Sequence, residues 1–273
     1  MTSPLPIACA VLLWAITAPV LGSVITYIRF EEGSGIDGYD ESGLMDGRLV
    51  QFSNTSPGGG DTTGEGWSTN VASPLVPLTG EANTGSLRFG GGSEFVDLSN
   101  GHDLSLSNYF TIEFYMKPDQ PIIGSPAFGF SPNAALGLAL TDSGGDLYFN
   151  MTFMDQTPYT EASAVRTGVW QHLALVKQPE EYSIYLNGSL IANDSLPSSA
   201  DGPYFFPGTD ITGDRTIGGN SGTWRGWIDE FRISDEALTP DQFLIAIPEP
   251  GVFFLCLCGF TVALFCSFRT RHR

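Results

Sequence analysis

Between Phe110 and Met116 apolar side chains fall on every second residue: Phe110, Ile112, Phe114 and Met116 alternate with Thr111, Glu113 and Tyr115. A period of two puts the four apolar residues on one face of an extended strand, and that face has to be buried. The pattern recurs along the chain. Val24, Thr26, Ile28 and Phe30 share a face, and Leu136, Leu138 and Leu140 are spaced to pair with Leu147, Phe149, Met151 and Phe153 across a turn at Asp142–Asp146. Trp170–Lys177 and Tyr182–Leu186 flank Gln178-Pro179-Glu180, and Asn187-Gly188 predicts a further tight hairpin because both residues tolerate left-handed backbone. Helical signals are confined to Thr239-Pro240-Asp241-Gln242, where a Thr N-cap, a Pro at the first position and a Gln at the third predict a short helix running to about Ala246. Many short strands, 33 glycines and one terminal helix predict an all-β domain of two packed antiparallel sheets. From Ser53 to Gly85 the alternation dissolves into Gly, Ser, Thr and Pro with Trp67 as the one large aromatic, and this stretch reads as a surface insertion.

Both ends of the chain differ from this body. Ile7–Leu21 is mostly apolar and is followed by a small residue, so residues 1–22 read as a secretory signal peptide cut near Gly22, although its n-region holds no Lys or Arg. At the other end Pro248-Glu249-Pro250 precedes an uncharged run, Gly251–Phe268, and then Arg269, Arg271 and Arg273. As a helix that run spans about 27 Å, close to the hydrocarbon thickness of a bilayer. The arginines should stay on the cytoplasmic side and leave the body outside. The expected division is therefore a signal peptide (1–22), one folded domain (23–247), and a tail (248–273) with a transmembrane helix at 251–268.

The four cysteines all lie in the two apolar ends, at positions 9, 256, 258 and 266, so the body is not a disulfide scaffold. Net charge is −18, with 30 acidic residues against 12 basic ones, three of them in the tail. Such a surface repels nucleic acid and anionic lipid and attracts divalent cations. Catalytic constellations fit poorly. Gly33-Ser34-Gly35-Ile36-Asp37-Gly38 satisfies G-x-G-x-x-G but is followed by Tyr39-Asp40-Glu41-Ser42-Gly43, which does not open the helix that a dinucleotide pyrophosphate needs. No G-x-S-x-G elbow is present, and His102 and His172 are the body's histidines. His172 shares a face with Trp170, Ala174 and Val176 and reads as a hydrogen-bonded core residue.

Five segments, in order, carry a resemblance: Tyr27–Gly35 followed by Asp40-Glu41-Ser42-Gly43; Phe110–Glu113 with Lys117-Pro118; Trp170–Val176; Tyr185-Leu186-Asn187-Gly188; and Ile217-Gly218-Gly219 with Gly226–Ile233. Together they resemble laminin-G-like, concanavalin A-like jelly rolls over residues 24 to 246. The resemblance implies a two-sheet antiparallel jelly-roll sandwich with a short helix after its closing strand. Glycoside hydrolases of this architecture alternate carboxylates along one strand, and no Glu here is followed two places later by Asp, which removes their Glu-x-Asp-x-x-Glu arrangement. The tail resembles the Pro-Glu-Pro C-terminal sorting signals of Gram-negative bacteria, which implies recognition by an exosortase-like membrane transpeptidase. A single-pass protein that retains the tail differs only in processing.

On the closing strand, strict alternation places Trp227, Asp229, Phe231 and Ile233 on one face and Ile228, Glu230 and Arg232 on the other. A carboxylate among apolar neighbours must be paired, hydrogen-bonded or bound to a cation. The resemblance implies a structural Ca²⁺ held by Asp229, Asp40 and Glu32 or its neighbours' carbonyls; backbone N–H donors to Asp229 are the metal-free alternative. The expected function is non-catalytic binding or adhesion in the cell envelope or outside it, with a polysaccharide or surface protein as ligand and no nucleic acid. Trp67, Tyr204, Phe205 and Trp224 are the candidate ligand-stacking aromatics. A glycosidase or lyase on the same fold is the alternative.

Overall fold

The computed structural model describes residues 24–34, 37–42, 49–53, 66–76, 80–90, 95–97, 104–119, 125–130, 136–143, 146–153, 165–202, 204–206, 215–217 and 225–245. The expected signal peptide, the tail from Pro248 and Trp224 lie outside them. The first strands are β1 (Val24–Ile28), β2 (Asp37–Tyr39), β3 (Leu49–Ser53), β4 (Gly66–Ser68), β5 (Ser86–Gly90) and β6 (Phe95–Asp97). They are followed by β7 (Leu104–Leu106), β8 (Phe110–Pro118), β9 (Ser125–Phe130), β10 (Leu136–Ser143), β11 (Asp146–Phe153) and β12 (Gln171–Gln178). The last are β13 (Glu181–Leu186), β14 (Ser189–Ser195), β15 (Tyr204–Phe206), β16 (Arg215–Ile217) and β17 (Arg225–Ser234). All their pairings are antiparallel.

An eight-stranded sheet runs β14-β13-β12-β8-β17-β5-β4, with β1 also paired to β17; a seven-stranded sheet runs β11-β10-β9-β16-β6-β3-β2; β15 pairs with β7. The alternation of β8 decides the layering. Phe110, Ile112, Phe114 and Met116 join Leu173, Leu175, Ile184, Ile228 and Ile233 in the main buried cluster, and Val96 of the seven-stranded sheet belongs to the same cluster. The arrangement is sandwich-like and all-β. The predicted hairpins form: Leu136, Leu138 and Leu140 pair in register with Phe153, Met151 and Phe149, and β12 pairs with β13 across Pro179-Glu180. Asn187 (φ +49°) and Gly188 (φ +74°) turn β13 into β14 with left-handed backbone at both positions.

The opposite, outer face of the eight-stranded sheet has a small core of its own. Ala174 and Val176 of β12 pack there under Leu238 and Phe243. The predicted terminal helix is shorter than expected. Thr239 and Gln242 form the capping box, but only a single 3-10 turn, Pro240–Gln242, follows, and Phe243 (φ −70°, ψ 160°) is already extended. The segment ends because it is laid down on the sheet: the Leu244 amide and carbonyl bond to Glu113 and Tyr115 instead of continuing a helix.

The Ser53–Gly85 stretch is more than a surface insertion. β4 forms an edge of the eight-stranded sheet, and the following chain crosses its outer face, with Val76 fully buried and Asn83 nearly so.

Candidate functional site

Strict alternation fails along β17, and the failure builds the centre of the molecule's polar chemistry. Asp229 faces Tyr115, whereas Arg232 faces Glu113, so three steps along β17 match two along β8. The extra residue is a β-bulge at which Glu230 takes φ +52°, uncommon for a residue with a Cβ. Its effect is to change faces. Trp227 and Asp229 lie on the outer face opposite Lys117 and Tyr115, while Phe231 and Ile233 return to the core. The predicted grouping of Asp229 with Phe231 and Ile233 is thus corrected.

The bulge also marks a handover between neighbours. β5 pairs with Arg225–Ile228 and β1 with Phe231–Ser234, leaving Asp229 and Glu230 between the two. Both are fully buried. Asp229 Oδ2 accepts from Ala72 N (2.9 Å) and Asn83 Nδ2 (3.0 Å), both in the segment that covers the outer face. Glu230 accepts from the Tyr27 hydroxyl, and its Oε1 lies 3.7 Å from Arg29 Nε. Burial, only partly offset by these bonds, pushes the Asp229 carboxyl up to about 7 and that of Glu230 to about 8. Burial likewise raises the Tyr27 hydroxyl.

Asp40 and Glu32, expected to join Asp229 around a cation, each take backbone amides on one oxygen and keep the other, Asp40 Oδ2 and Glu32 Oε2, buried without a hydrogen-bond partner. Asp40 Oδ1 accepts from Tyr27 N (2.8 Å) and Ser42 N (2.9 Å). Glu32 Oε1 accepts from Tyr39 N (2.6 Å), and burial raises its carboxyl. Among the described residues no three His, Cys, Asp or Glu side chains are grouped to hold a metal ion. The oxygens that remain buried without a hydrogen-bond partner beside Asp229 Oδ2 are Asp229 Oδ1 and Asn83 Oδ1. The Ala72 amide is a backbone donor to Asp229 of the kind expected there.

On the same face Glu113 is fully buried and fully bonded. Its Oε1 accepts from Arg232 Nε (2.7 Å) and Nη2, its Oε2 from His172 Nε2 (2.8 Å) and Leu244 N (2.8 Å). Burial opposes ionisation, but the His172 hydrogen bond and the Arg232 charge outweigh it and hold Glu113 below the ordinary carboxylate range. His172 is therefore the buried, hydrogen-bonded residue that its strand position predicts, although it faces the outer core rather than the main one.

Further along the outer face lies a row that strand alternation alone did not single out. Trp227 pairs across β17 with Arg88 on one side and Lys117 on the other. The Arg88 guanidinium carbon and the Lys117 Nζ each stand 5.0 Å from the indole centroid. Trp227 Nε1 donates to Ser68 Oγ (3.1 Å); Lys117 Nζ and Trp170 Nε1 both donate to Asn70 Oδ1 (3.3 and 3.2 Å). Arg225 and Arg88 reach Asp119 Oδ2 at 3.3 and 3.4 Å. Each of these side chains is only partly buried, so the row is open to solvent. Gly226 makes the row possible: at φ +145°, a Cβ there would stand 2.3 Å from the Lys117 carbonyl oxygen. Lys117-Pro118 and Gly226-Trp227 were both visible in the sequence, but only the register joins them.

Of the predicted stacking aromatics, Trp67 packs partly buried against the main core, while Tyr204 and Phe205 lie on β15 paired to β7. None of the three belongs to the Trp227 row.

The profile of the Concanavalin A-like lectin/glucanases superfamily, Laminin_G_3, matches residues 90–243, more than half of the chain. The chain belongs to that superfamily. No curated protein matches this concanavalin A-like chain in sequence. Among solved structures it is similar to domain 4 of AbnA, a GH43 extracellular arabinanase from Geobacillus stearothermophilus in complex with arabinotriose. That match has TM-score 0.57 at 17% identity and covers 81% of this chain and 96% of that one. Trypanosoma rangeli sialidase in complex with the inhibitor DANA matches with TM-score 0.51 at 12% identity, over 80% of this chain and 32% of the sialidase. These likenesses establish the concanavalin A-like fold.

Proposed function

We propose that the protein is an exported, non-catalytic carbohydrate-binding module of the bacterial envelope or its surroundings. In this reading residues 1–22 direct export, and Pro248-Glu249-Pro250 with its apolar run and Arg269, Arg271 and Arg273 is read by an exosortase-like transpeptidase. The membrane helix is then a transient anchor. The observation that carries the binding reading is the solvent-open Trp227 row, an indole bracketed by hydrogen-bond donors on a rigid sheet. Polar groups fixed beside aromatic surface are the usual equipment of a ligand site. The arabinotriose complex of the AbnA domain gives the same fold a sugar ligand in another protein.

Asp229 and Glu230 favour a second reading, since two carboxyls titrating near neutrality mark candidate acid–base residues. A glycosidase or lyase, however, needs its carboxyls on either side of a bound sugar. Here both are fully buried, and Asp229 lies beneath the Ala72–Asn83 segment. Calcium as a structural ion would find hard oxygen donors at either place, since Asp229 Oδ1 and Asn83 Oδ1 in this centre and Asp40 Oδ2 and Glu32 Oε2 in the first turn are all buried without a hydrogen-bond partner.

A glycan array probed with the full-length chain tests the function. Retention on defined polysaccharides with no release of sugar is the expected result. Silence across the array, with capture by a surface protein instead, would overturn it. Sugar release abolished by Asp229→Asn would establish the enzyme in its place.

A further inference from the structure

What the Trp227 row binds can be narrowed from its charge, given the carbohydrate-binding reading above. The chain carries −18, yet Arg88, Lys117 and Arg225 meet in one small area, where Asp119 accepts from the two arginines. Among the described residues the local balance is positive. At physiological ionic strength the field of the remaining surface is screened beyond about 8 Å, so at contact distance the local charge governs what docks.

The cations are also held in place before any ligand arrives. Arg88 and Lys117 bracket the Trp227 ring at 5.0 Å each, within cation–π range. Asn70 Oδ1 fixes the Lys117 ammonium from a third direction and leaves it further protons to donate. Side chains ordered in the free protein lose less entropy on binding.

Asp119 shows what these groups are shaped to receive. Two guanidinia converge on its Oδ2, but at 3.3 and 3.4 Å they are looser than the roughly 2.7–2.9 Å of a tight charge-assisted bond. The Arg225 side chain is 42% exposed, and its fork has donors to spare for a second planar anion. A neutral sugar can accept hydrogen bonds from these groups but gains nothing from their net charge, whereas a carboxylate gains both.

We propose that Arg88, Lys117 and Arg225 form a binding site for the carboxylates of an acidic polysaccharide, a polymer of uronic acids lying along the Trp227 row. Asp119 orients the two arginines, and the indole spaces the flanking charges.

Calorimetric titration of the full-length chain, in chelator to keep calcium from cross-linking the polymer, compares three probes of equal length: oligogalacturonate, neutral arabino-oligosaccharide and sulfated dextran oligomers. Oligogalacturonate should bind most tightly, weaken as NaCl is raised, and lose at least tenfold in affinity on Arg225→Gln. Because the Arg225 side chain is 42% exposed, that variant should keep the parent melting temperature, so that lost affinity is not lost fold. If the neutral oligosaccharide binds equally well and Arg225→Gln changes nothing, the acidic-ligand inference falls while carbohydrate binding stands. Preference for the sulfated oligomer overturns the carboxylate assignment. If no glycan on the array or in the titration binds, both readings fall.

Discussion

Glu113 and Arg232 are cross-strand partners on the outer face of the eight-stranded sheet, joined through Arg232 Nε at 2.7 Å and buried with almost no exposure on either side. The pair does not stand alone. Arg232 Nη2 also donates to the Gln242 carbonyl (2.7 Å), and Glu113 accepts the Leu244 amide, so one ion pair fixes the chain that follows the closing strand. Removing one member of a buried pair leaves an uncompensated charge, which costs about 3–5 kcal/mol. Glu113→Ala should lower stability by that amount in urea titration, with Arg232→Met, Glu113→Leu together less harmful than Glu113→Ala alone. The pair also has a pH signature. Because Glu113 titrates below its ordinary range when folded, its stabilisation is complete above the unfolded carboxylate pKa, ~4, and disappears as pH falls through the depressed folded value. The wild type should therefore lose stability below about pH 4 more steeply than Glu113→Gln.

Phe243 is the apolar half of the same fastening. Its ring meets Tyr185 edge-on at 5.2 Å and sits 5.9 Å from His172, closing the small outer core with Ala174, Val176 and Leu238. Truncation to Ala should cost about 3 kcal/mol or more. The loss should be local before it is global. Hydrogen exchange at the Leu244 and Leu238 amides, bonded to Glu113 and Thr111, should accelerate ahead of exchange in β12.

Gly226 is irreplaceable for a backbone reason. An added Cβ would meet the Lys117 carbonyl oxygen at 2.3 Å and the Pro118 Cα at 3.0 Å, backbone atoms of a central strand that cannot swing aside. Gly226→Ala should force β17 and β8 apart and destabilise by more than about 3 kcal/mol, seen as a lowered midpoint and as loss of Trp227 fluorescence anisotropy. Gly33→Ala, with nothing within 4 Å, serves as the comparison: it changes only φ strain at +69° and should cost about 1 kcal/mol.

Strand periodicity told the fold because a buried sheet face imposes it: β8 and β12 and the hairpins sit where alternation and turn residues place them. The site was harder to read because it departs from alternation. One bulge at Glu230 moves Asp229 off the face that its spacing to Phe231 indicated. Nor does any sequence rule announce that Arg88, 139 positions before Trp227, will stand beside it; only the register of β5 on β17 makes them neighbours. Asp40 shows a third case. The family resemblance marks it as a cation ligand; its Oδ1 is bonded to two backbone amides while its Oδ2 is buried without a hydrogen-bond partner, a division that no sequence pattern announces.

Asp229 supplies a pH dependence opposite in sign to that of Glu113. Its carboxyl is raised to about 7 in the folded chain, so between roughly pH 4 and pH 7 the unfolded state releases a proton that the folded state retains. Stability must therefore fall as pH rises through this window, and Glu230, at about 8, extends the loss to higher pH. Asp229→Asn keeps an acceptor for Ala72 N and Asn83 Nδ2 but carries no charge, so in chelator it should flatten the profile and be more stable than the parent at pH 8, by up to about 4 kcal/mol. Calcium offers the discriminating addition. If the ion takes Asp229 Oδ1 and Asn83 Oδ1, millimolar Ca²⁺ should raise the melting temperature of the parent at pH 8 and leave Asp229→Asn unmoved. A parent melting curve identical with chelator and with Ca²⁺ would remove the ion from the structure and leave the buried carboxyls protonated near neutrality as the whole explanation of that centre.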